Sequence, residues 1–412
     1  MLAFAILSAS IASAPAAAAS CKLGKIVEFP ITMAGLRPLV AARINDNDVQ
    51  FVMDSGAFYS MISVAGAAEL KLKTSLAPMG FHVKGAAHGA IDVSIATAKT
   101  FTLAGVPLHD VGFLVGGGEM GEGSVGLLGQ NFLHIGDVEY DLGHGMVRLM
   151  QAEDCDKALL AYWVDKSTPY SVIGLVSDPG LSERTSAPLG SLIVRKTPQL
   201  SHTLSSAYLN GAEIRVMFDT GAGASILSLK AAARAGVTPD SPGVVSAGAS
   251  YGIGRTTFAT YIAPFSSFKV GEEEIKNARL RIGDIDTTDA DMLIGADFFL
   301  SHRVYVANSQ HKLYFTYNGG PVFNLTAINR PVTAPATDAS AQQPNSDGAA
   351  IEDAADYSRR GTALAARREF DQALTALTRA CELAPGKPEY FYQRGSVYWQ
   401  MKQPTPAMAD FD

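Results

Sequence analysis

The chain has 412 residues, 47% of them hydrophobic and 18% charged, with a formal net charge of −7 and an isoelectric point near 5.6. This length predicts two to four domains, and the acidic balance, without a basic patch interleaved with aromatic residues, argues against nucleic-acid binding. The eight histidines and three cysteines show no metal-ligand spacing, so we expect no metal and no cofactor.

The N-terminus resembles an export signal over residues 1–20. A short apolar run at 2–11 is followed by small residues at 13–19 that offer a cleavage site. A basic segment is missing, and a short membrane anchor is the alternative, which Pro15 disfavours. The residues before Cys21 faintly resemble a lipoprotein processing site but lack the expected leucine. We predict a periplasmic or secreted protein, with lipid anchoring through Cys21 as the less favoured alternative.

A mainly β pattern follows, and it occurs twice. In the first copy we expect a short helix at 64–70, a glycine-tipped hairpin around 84–89, and strands at 26–32, 39–44, 49–53, 81–83, 90–97, 101–103, 111–115, 138–142 and 146–150. In the second we expect a short helix at 229–235, a hairpin tip at 252–254, and strands at 191–196, 207–209, 214–218, 246–251, 256–262, 268–270, 278–282, 304–307 and 312–317.

Each copy contains an apolar strand that runs into Asp-Ser/Thr-Gly-Ala. The two tripeptides are Asp54-Ser55-Gly56 and Asp219-Thr220-Gly221. A carboxylate at the end of a buried strand is costly unless it is hydrogen-bonded or has a task. A glycine two residues later allows a sharp turn and a close approach of another backbone segment.

The two copies keep a common register. Each copy also contains a second apolar motif, which ends at Gly129 in the first copy and at Gly295 in the second. The sequence separation between these glycines differs by one residue from that between Asp54 and Asp219. A repeat of this length indicates a duplicated domain. We therefore predict a first domain at 25–155, a connector at 156–189 and a second domain at 190–320; below, these domains are called unit 1 and unit 2.

The composition changes after residue 320. Residues 321–352 are rich in small and polar residues and predict a flexible linker. From 353 to 412 the periodicity is helical, and Gly361 recurs as Gly395. This spacing resembles that of tetratricopeptide repeats, helix pairs of about 34 residues, with the second repeat incomplete. Such repeats bind proteins, so a protein partner is expected there.

The two units resemble retropepsin-type aspartic protease domains, the smaller relatives of each half of pepsin. The resemblance rests on the Asp-Ser/Thr-Gly-Ala motifs, on the glycine-tipped hairpins, and on Leu127-Leu128-Gly129 and Leu293-Ile294-Gly295, which follow the aspartates at nearly the same distance in both copies. It implies a mainly β fold of two tandem retropepsin-like β-barrel domains forming a pseudo-two-fold pair, followed by the α-helical repeat segment.

The resemblance also implies an aspartic endopeptidase. Hydrolysis of a peptide bond needs a base to activate water and an acid to protonate the carbonyl oxygen. Two adjacent carboxylates share one proton and supply both. Asp54 and Asp219 are expected to form this dyad within one chain that acts as a monomer, the alternative being pairing between chains. The second functional candidate is an inactive protein that binds peptides as a scaffold.

Further roles follow from the family. Ser55 and Thr220 would lock the two aspartate loops together, and the carbonyls of Gly56 and Gly221 would bind an extended polypeptide substrate by strand addition. The hairpin tips would close over it. The candidate flap residues are Gly85, His88 and Gly89 in unit 1, and Tyr251, Gly252 and Gly254 in unit 2. Which flap covers the substrate stays open.

Two alanines bear on the pH range. Ala57 and Ala222 stand where pepsin-like sites carry a Ser or Thr whose hydroxyl can stabilise the charged carboxylate. We expect a dyad less acidic than that of pepsin. Among the cysteines, Cys21 and Cys155 flank unit 1 and are expected either to form a disulfide or to remain two free thiols, while Cys381 is expected to be buried in a helix.

Overall fold

The computed structural model describes residues 20–79, 81–86, 90–118, 123–176, 202–252, 257–287, 289–326 and 353–411. Several predicted features lie outside these residues: nearly all of the export signal, His88, Gly89, Gly254, the end of the connector, the strand at 191–196 and most of the linker. Within the described residues, no helix has the length and apolar content needed to cross a membrane.

Twenty-four strands are described. They are β1 (Lys22–Ala34), β2 (Arg37–Ile44), β3 (Asn47–Met53), β4 (Met61–Ile62), β5 (Thr74–Leu76), β6 (His82–Lys84), β7 (Ala90–Asp92), β8 (Ser94–Leu103), β9 (Val106–Val115), β10 (Gly126–Leu128), β11 (Asp137–Asp141), β12 (Met146–Glu153), β13 (Ser171–Gly174), β14 (Leu204–Leu209), β15 (Ala212–Phe218), β16 (Ile226–Ser228), β17 (Val245–Tyr251), β18 (Thr257–Pro264), β19 (Ser267–Val270), β20 (Glu273–Lys276), β21 (Arg279–Gly283), β22 (Met292–Ile294), β23 (His302–Ala307) and β24 (Lys312–Tyr317).

Eight α-helices accompany them. They are α1 (Val64–Glu69), α2 (Gln130–Leu133), α3 (Leu229–Arg234), α4 (Ala296–Ser301), α5 (Ala354–Ala366), α6 (Phe370–Leu383), α7 (Pro388–Gln400) and α8 (Pro404–Phe411). The first four are short and lie inside the β units. The last four form the predicted helical segment, so the mainly β fold with a helical C-terminal part is confirmed.

Unit 1 forms a closed sheet. Its strands follow the order β2-β3-β10-β4-β9-β8, and β8 pairs again with β2, so the sheet closes into a barrel. The strands of unit 2 form a sheet in the order β17-β18-β21-β16-β22-β15-β14-β19-β20. In both units the strand before the aspartate pairs in parallel with the strand before the motif glycine: Val52 lies opposite Leu127, and Met217 opposite Leu293.

One sheet joins the two units. Strand β11 of unit 1 pairs antiparallel with β23 of unit 2, placing Val138 opposite Val306 and Tyr140 opposite Val304. In the repeat, Val304 is the counterpart of Val138 and Val306 that of Tyr140. The register therefore has approximate two-fold symmetry about the central pair, Glu139 and Tyr305. This seam fixes the two units relative to each other within one chain.

A buried ion cluster stabilises the seam. The Glu139 side chain is fully buried, and it accepts hydrogen bonds from Arg148 at 2.7 Å and from the Tyr162 hydroxyl at 2.5 Å. Arg303 of unit 2 lies 2.6 Å from the same carboxylate. Removing one partner would leave an uncompensated buried charge, which is strongly destabilising. Tyr162 belongs to the predicted connector, so the start of that connector is packed onto the seam.

The sequence left two states open for the cysteines that flank unit 1, and the structure contains the disulfide. Cys21 and Cys155 are bonded, with their Cα atoms 4.5 Å apart. The bond ties the start of β1 to the segment that follows β12. Cys381 is a buried free cysteine on α6, as expected.

The helical segment repeats its own packing. A Cβ added to Gly361 would lie 2.5 Å from Leu377 Cγ, and one added to Gly395 would lie 2.6 Å from Phe411 Cε1. The helices of both pairs thus approach closely at glycines that occupy equivalent positions. The segment also contacts unit 1, because Met33 N donates a hydrogen bond to the hydroxyl of Thr362 on α5 at 3.4 Å.

Candidate active site

Each candidate aspartate follows a buried strand and is held by the neighbouring parallel strand. Asp54 N donates to the Leu128 carbonyl at 2.9 Å, and Asp219 N donates to the Ile294 carbonyl at 2.8 Å. Leu128 and Ile294 precede the two motif glycines. The second apolar motif therefore sets where each aspartate leaves the sheet.

The residues after the aspartates interlock across the two units. Ser55 N donates to Thr220 Oγ1 and Thr220 N donates to Ser55 Oγ, both at 3.0 Å. The Ser55 hydroxyl donates to the Phe218 carbonyl at 2.9 Å, and the Thr220 hydroxyl donates to the Met53 carbonyl at 2.6 Å. Both side chains are at most 1% exposed. The predicted partners are therefore together, and buried backbone groups depend on them.

The carboxyl groups of Asp54 and Asp219 meet between the two loops. A Cβ built on Gly56 would lie 2.3 Å from Asp219 Cγ, and one built on Gly221 would lie 2.3 Å from Asp54 Cγ. Each carboxyl group thus rests on the α-carbon of the opposite glycine. Only glycine leaves room for this contact, which explains why each motif contains a glycine at this position. The structure brings Asp54 and Asp219 together within one chain.

Backbone amides hold both carboxyl groups. Asp54 Oδ1 accepts hydrogen bonds from Gly56 N at 2.9 Å and Ala57 N at 3.0 Å. Asp219 Oδ1 accepts the equivalent amides of unit 2 at 2.9 and 3.2 Å. These bonds fix the orientation of both groups and favour their charged forms.

Burial disfavours the charged forms of both carboxyl groups. Burial raises the pKa of Asp54 well above its usual value, and the negative charge of Asp219 raises it further. Burial also raises the pKa of Asp219, while the hydrogen bond with Asp54 and the backbone amides lower it. Because the two groups titrate together, the pair retains one proton at a pH where isolated aspartates are ionised.

Sequence reasoning missed a supporting layer behind the dyad. Ser60 donates from its amide and hydroxyl to Asn131 Oδ1 at 2.9 and 2.8 Å, and its hydroxyl accepts from Gly129 N at 3.0 Å. In unit 2, Ser225 makes the same bonds to Asp297. Asn131 and Asp297 each stand two residues after a motif glycine. This shared position was the signal available in the sequence.

A buried tyrosine also lies at the dyad, and it breaks the symmetry. Tyr140 is 2% exposed and lies beside Ser55 and the two aspartates. Burial raises the pKa of Tyr140 above its usual value, and the charges of both aspartates raise it further. The equivalent position in unit 2 is Val306. Neither periodicity nor motif singled out this tyrosine.

Both predicted hairpins are present. Strands β6 and β7 pair with Lys84 opposite Ala90, and Gly85 begins the tip. Strands β17 and β18 pair with Tyr251 opposite Thr257, and Gly252 follows. The first hairpin reaches unit 2, since the Ala86 carbonyl accepts a hydrogen bond from Asp286 N at 2.9 Å.

Comparison with protein families agrees with this geometry. Residues 40–134 match the model described as "gag-polyprotein putative aspartyl protease", and residues 205–298 match the model described as aspartyl protease. Both units are aspartyl protease domains. Each match contains one Asp-Ser/Thr-Gly motif and one motif glycine. Neither match extends to the four C-terminal helices, so their assignment as tetratricopeptide repeats stays a prediction. No curated protein matches the chain.

The described part of the aspartyl protease domains contains no cluster of three or more histidine, cysteine, aspartate or glutamate side chains placed to hold a metal ion. What the site does contain is a buried carboxyl group, Asp54, beside a partly buried one, Asp219, both with raised pKa values and both held by backbone amides. Such a pair can supply an acid and a base at one point.

Proposed function

We propose that the protein is an aspartic endopeptidase with one active site per chain, formed by Asp54 and Asp219. The observation that carries the proposal is the reciprocal contact between the two aspartate loops. Each carboxyl group rests on the glycine of the other loop, and Ser55 and Thr220 exchange hydrogen bonds. A scaffold that only binds peptide has no need for a buried carboxyl group in contact with a second, partly buried one, an arrangement that is costly for stability.

The reaction follows from the shared proton. The ionised carboxylate removes a proton from a water molecule, and the water oxygen attacks the carbonyl carbon of the scissile bond. The protonated carboxyl gives its proton to the carbonyl oxygen. When the tetrahedral intermediate collapses, the carbon–nitrogen bond breaks, the leaving nitrogen takes the proton removed from water, and the other carboxyl regains its own.

The substrate would be a polypeptide in extended form. The carbonyls of Gly56 and Gly221 would accept hydrogen bonds from its backbone, and a hairpin would close over it. Contact between Ala86 and Asp286 favours the β6–β7 hairpin as the cover. Gly85 and Gly252, at the starts of the two tips, are candidate flap residues that would contact the substrate.

The place of action and the partners are also proposals. The disulfide between Cys21 and Cys155 supports an exported protein, because disulfides persist in oxidising compartments. The helical segment would recruit a protein partner or substrate. The seam between the units supports a monomeric active form, since both aspartates come from one chain.

The test compares cleavage of an unfolded protein by the wild type, Asp54→Asn and Asp219→Asn, with and without pepstatin. The proposal requires cleavage by the wild type, inhibition by pepstatin and loss of activity in both variants. A variant that keeps full activity would contradict the dyad within one chain. A wild type that binds peptide without cutting it would instead support the scaffold function.

A further inference from the structure

A histidine of unit 2 lies beside the dyad. Phe218 N donates a hydrogen bond to the Thr203 carbonyl at 2.9 Å, which continues the antiparallel pairing of β14 with β15 by one step beyond Leu204. The next residues on the two segments are His202 and Asp219. Residues directly opposite each other in an antiparallel pair share one face, so this register places His202 next to Asp219.

The opposite aspartate loop holds the histidine ring. The ring centroids of His202 and Phe58 are 3.7 Å apart, with an angle of 39° between the ring planes. Phe58 stands four residues after Asp54, and its carbonyl accepts a hydrogen bond from Asn131 N at 3.0 Å. His202 therefore lies between the two units, since its own segment leads to the Asp219 strand and its ring packs on the Asp54 loop.

The two aspartates differ in the charge that they face. Burial raises the pKa of Asp219, and this rise is opposed by the hydrogen bond with Asp54, by the amides of its own loop and by the positive charge of His202. For Asp54, burial and the negative charge of Asp219 both raise the pKa. Tyr140, which also lies beside the dyad, stays neutral because burial raises its pKa. The shared proton is thus favoured on Asp54, and the negative charge on Asp219.

Unit 1 carries a different residue at the equivalent position. The counterpart of His202 is Arg37, because the strands that lead to the two aspartates pair in the same register. The counterpart of Phe58 is Gly223, which has no ring, and a Cβ built there would lie 3.2 Å from Leu36 Cβ. Arginine stays charged in the whole working range, whereas histidine ordinarily loses its charge at about pH 6.5. The charge at this position is thus permanent in unit 1 and pH-dependent in unit 2.

We propose that His202 is a positioning residue for the dyad. Its protonated ring favours the state in which Asp219 is the carboxylate that activates water and Asp54 is the acid that protonates the carbonyl oxygen. This support is present at acidic pH and is lost as the pH rises through the range in which histidine titrates. The inference rests on the proposed peptidase function.

The first test compares the pH–rate profiles of the wild type, His202→Gln and His202→Arg. A positive charge next to a carboxylate lowers its pKa by about one unit or more. His202→Gln should therefore move the acidic limb of kcat up by about one unit, which is a roughly tenfold loss of rate at a pH on that limb. His202→Arg introduces the residue that unit 1 carries, retains a positive charge and should retain the wild-type limb.

An unchanged acidic limb in His202→Gln, or the same shift in both variants, would overturn the inference and leave the peptidase function intact. A wild type that cuts nothing would refute the peptidase function, and the role of His202 with it.

The second test does not depend on activity. An NMR titration of the His202 ring is compared in Asp54→Asn and Asp219→Asn. Asp54→Asn leaves the negative charge on Asp219 and should leave the pKa of His202 at its wild-type value. Asp219→Asn moves the charge to Asp54 and should lower the pKa of His202 by about half a unit. Equal values in the two variants would overturn the assignment of the proton to Asp54.

Discussion

The two aspartate loops are nearly identical where they touch each other and differ at the two residues that follow each alanine. The amides bind the carboxyl oxygens of Asp54 and Asp219 at 2.9–3.0 and 2.9–3.2 Å, and the hydroxyl exchange is the same in both directions. Two positions beyond each alanine, Tyr59 stands in one loop and Ala224 in the other. The bonds that hold the two carboxyl groups thus occur in both loops, whereas the residues that follow the two alanines differ between the loops.

The largest effect is expected from breaking the interlock on one side. Thr220→Ala leaves Ser55 N and the Met53 carbonyl without their partner in a buried place. Each such loss costs about 1–3 kcal/mol, so the free energy of unfolding should fall by about 2–5 kcal/mol. Urea denaturation measures it. Thr220→Ser retains both bonds and is the matched control; an unchanged midpoint in Thr220→Ala would show that the interlock is dispensable.

Adding one methyl group to Gly56 or Gly221 tests whether activity requires the close contact between each carboxyl group and the opposite glycine. A Cβ at Gly56 would overlap the Asp219 carboxyl, and one at Gly221 the Asp54 carboxyl. We expect either Gly→Ala variant to lower kcat/KM by roughly 100-fold, about 2.7 kcal/mol in transition-state stabilisation. Gly223→Ala is the control, because its Cβ meets mainly the Leu36 side chain at 3.2 Å. Equal activity in all three variants would contradict the arrangement.

The raised pKa of Asp54 predicts a pH-dependent effect on stability. Asp54 is 9% exposed and its pKa is raised well above the usual value. A carboxyl with a raised pKa destabilises the folded state above that pKa and has no such effect where both states are protonated. Asp54→Asn should therefore raise the free energy of unfolding by about 1–3 kcal/mol at pH 7.

Thermal unfolding across a pH series checks this, because the gain should vanish below about pH 4. Asp219→Asn should stabilise in the same pH range, because burial raises the pKa of Asp219 as well. A gain in Asp54→Asn that is equal at pH 4 and pH 7 would contradict the raised pKa of Asp54.

The smallest effect concerns the alanines of the two loops. A hydroxyl introduced by Ala57→Ser can donate to the Asp54 carboxylate and stabilise its charged form, which lowers the pKa of the dyad. The acidic limb of the pH–rate profile should move to lower pH by about half to one unit. Ala222→Ser tests the other loop. Wild-type activity confined below about pH 4, in the range of pepsin, would contradict a less acidic dyad.

The sequence predicted the parts of the site that repeat at a fixed spacing. The motifs of Asp54 and Asp219 keep one register because the duplicated fold places each aspartate at the end of the equivalent strand, β3 in unit 1 and β15 in unit 2. The sequence could not reveal Tyr140, because the equivalent position in unit 2 is a valine and because Tyr140 is far along the chain from the aspartate loops beside which it lies. The same holds for Glu139, whose partners converge only when β11 and β23 pair.

The hairpins show a different limit. Glycine-rich tips predicted both turns, but they did not indicate that the first hairpin reaches unit 2. That depends on the Asp286 loop, whose position is set by the packing of Ile285 among Met217, Ile226 and Leu293. The contact between Ala86 and Asp286 joins residues that are far apart in the chain, and no local pattern encodes it.

The central claim is that both aspartates of one chain form one site, and a mixing experiment tests it most directly. Inactive Asp54→Asn and Asp219→Asn proteins are combined over a range of concentrations, and cleavage of an unfolded protein is measured beside the wild type. We predict no recovery of activity in the mixture and a wild-type specific activity that is independent of concentration. Activity restored by mixing, or falling as the wild type is diluted, would place the dyad between two chains and contradict the account.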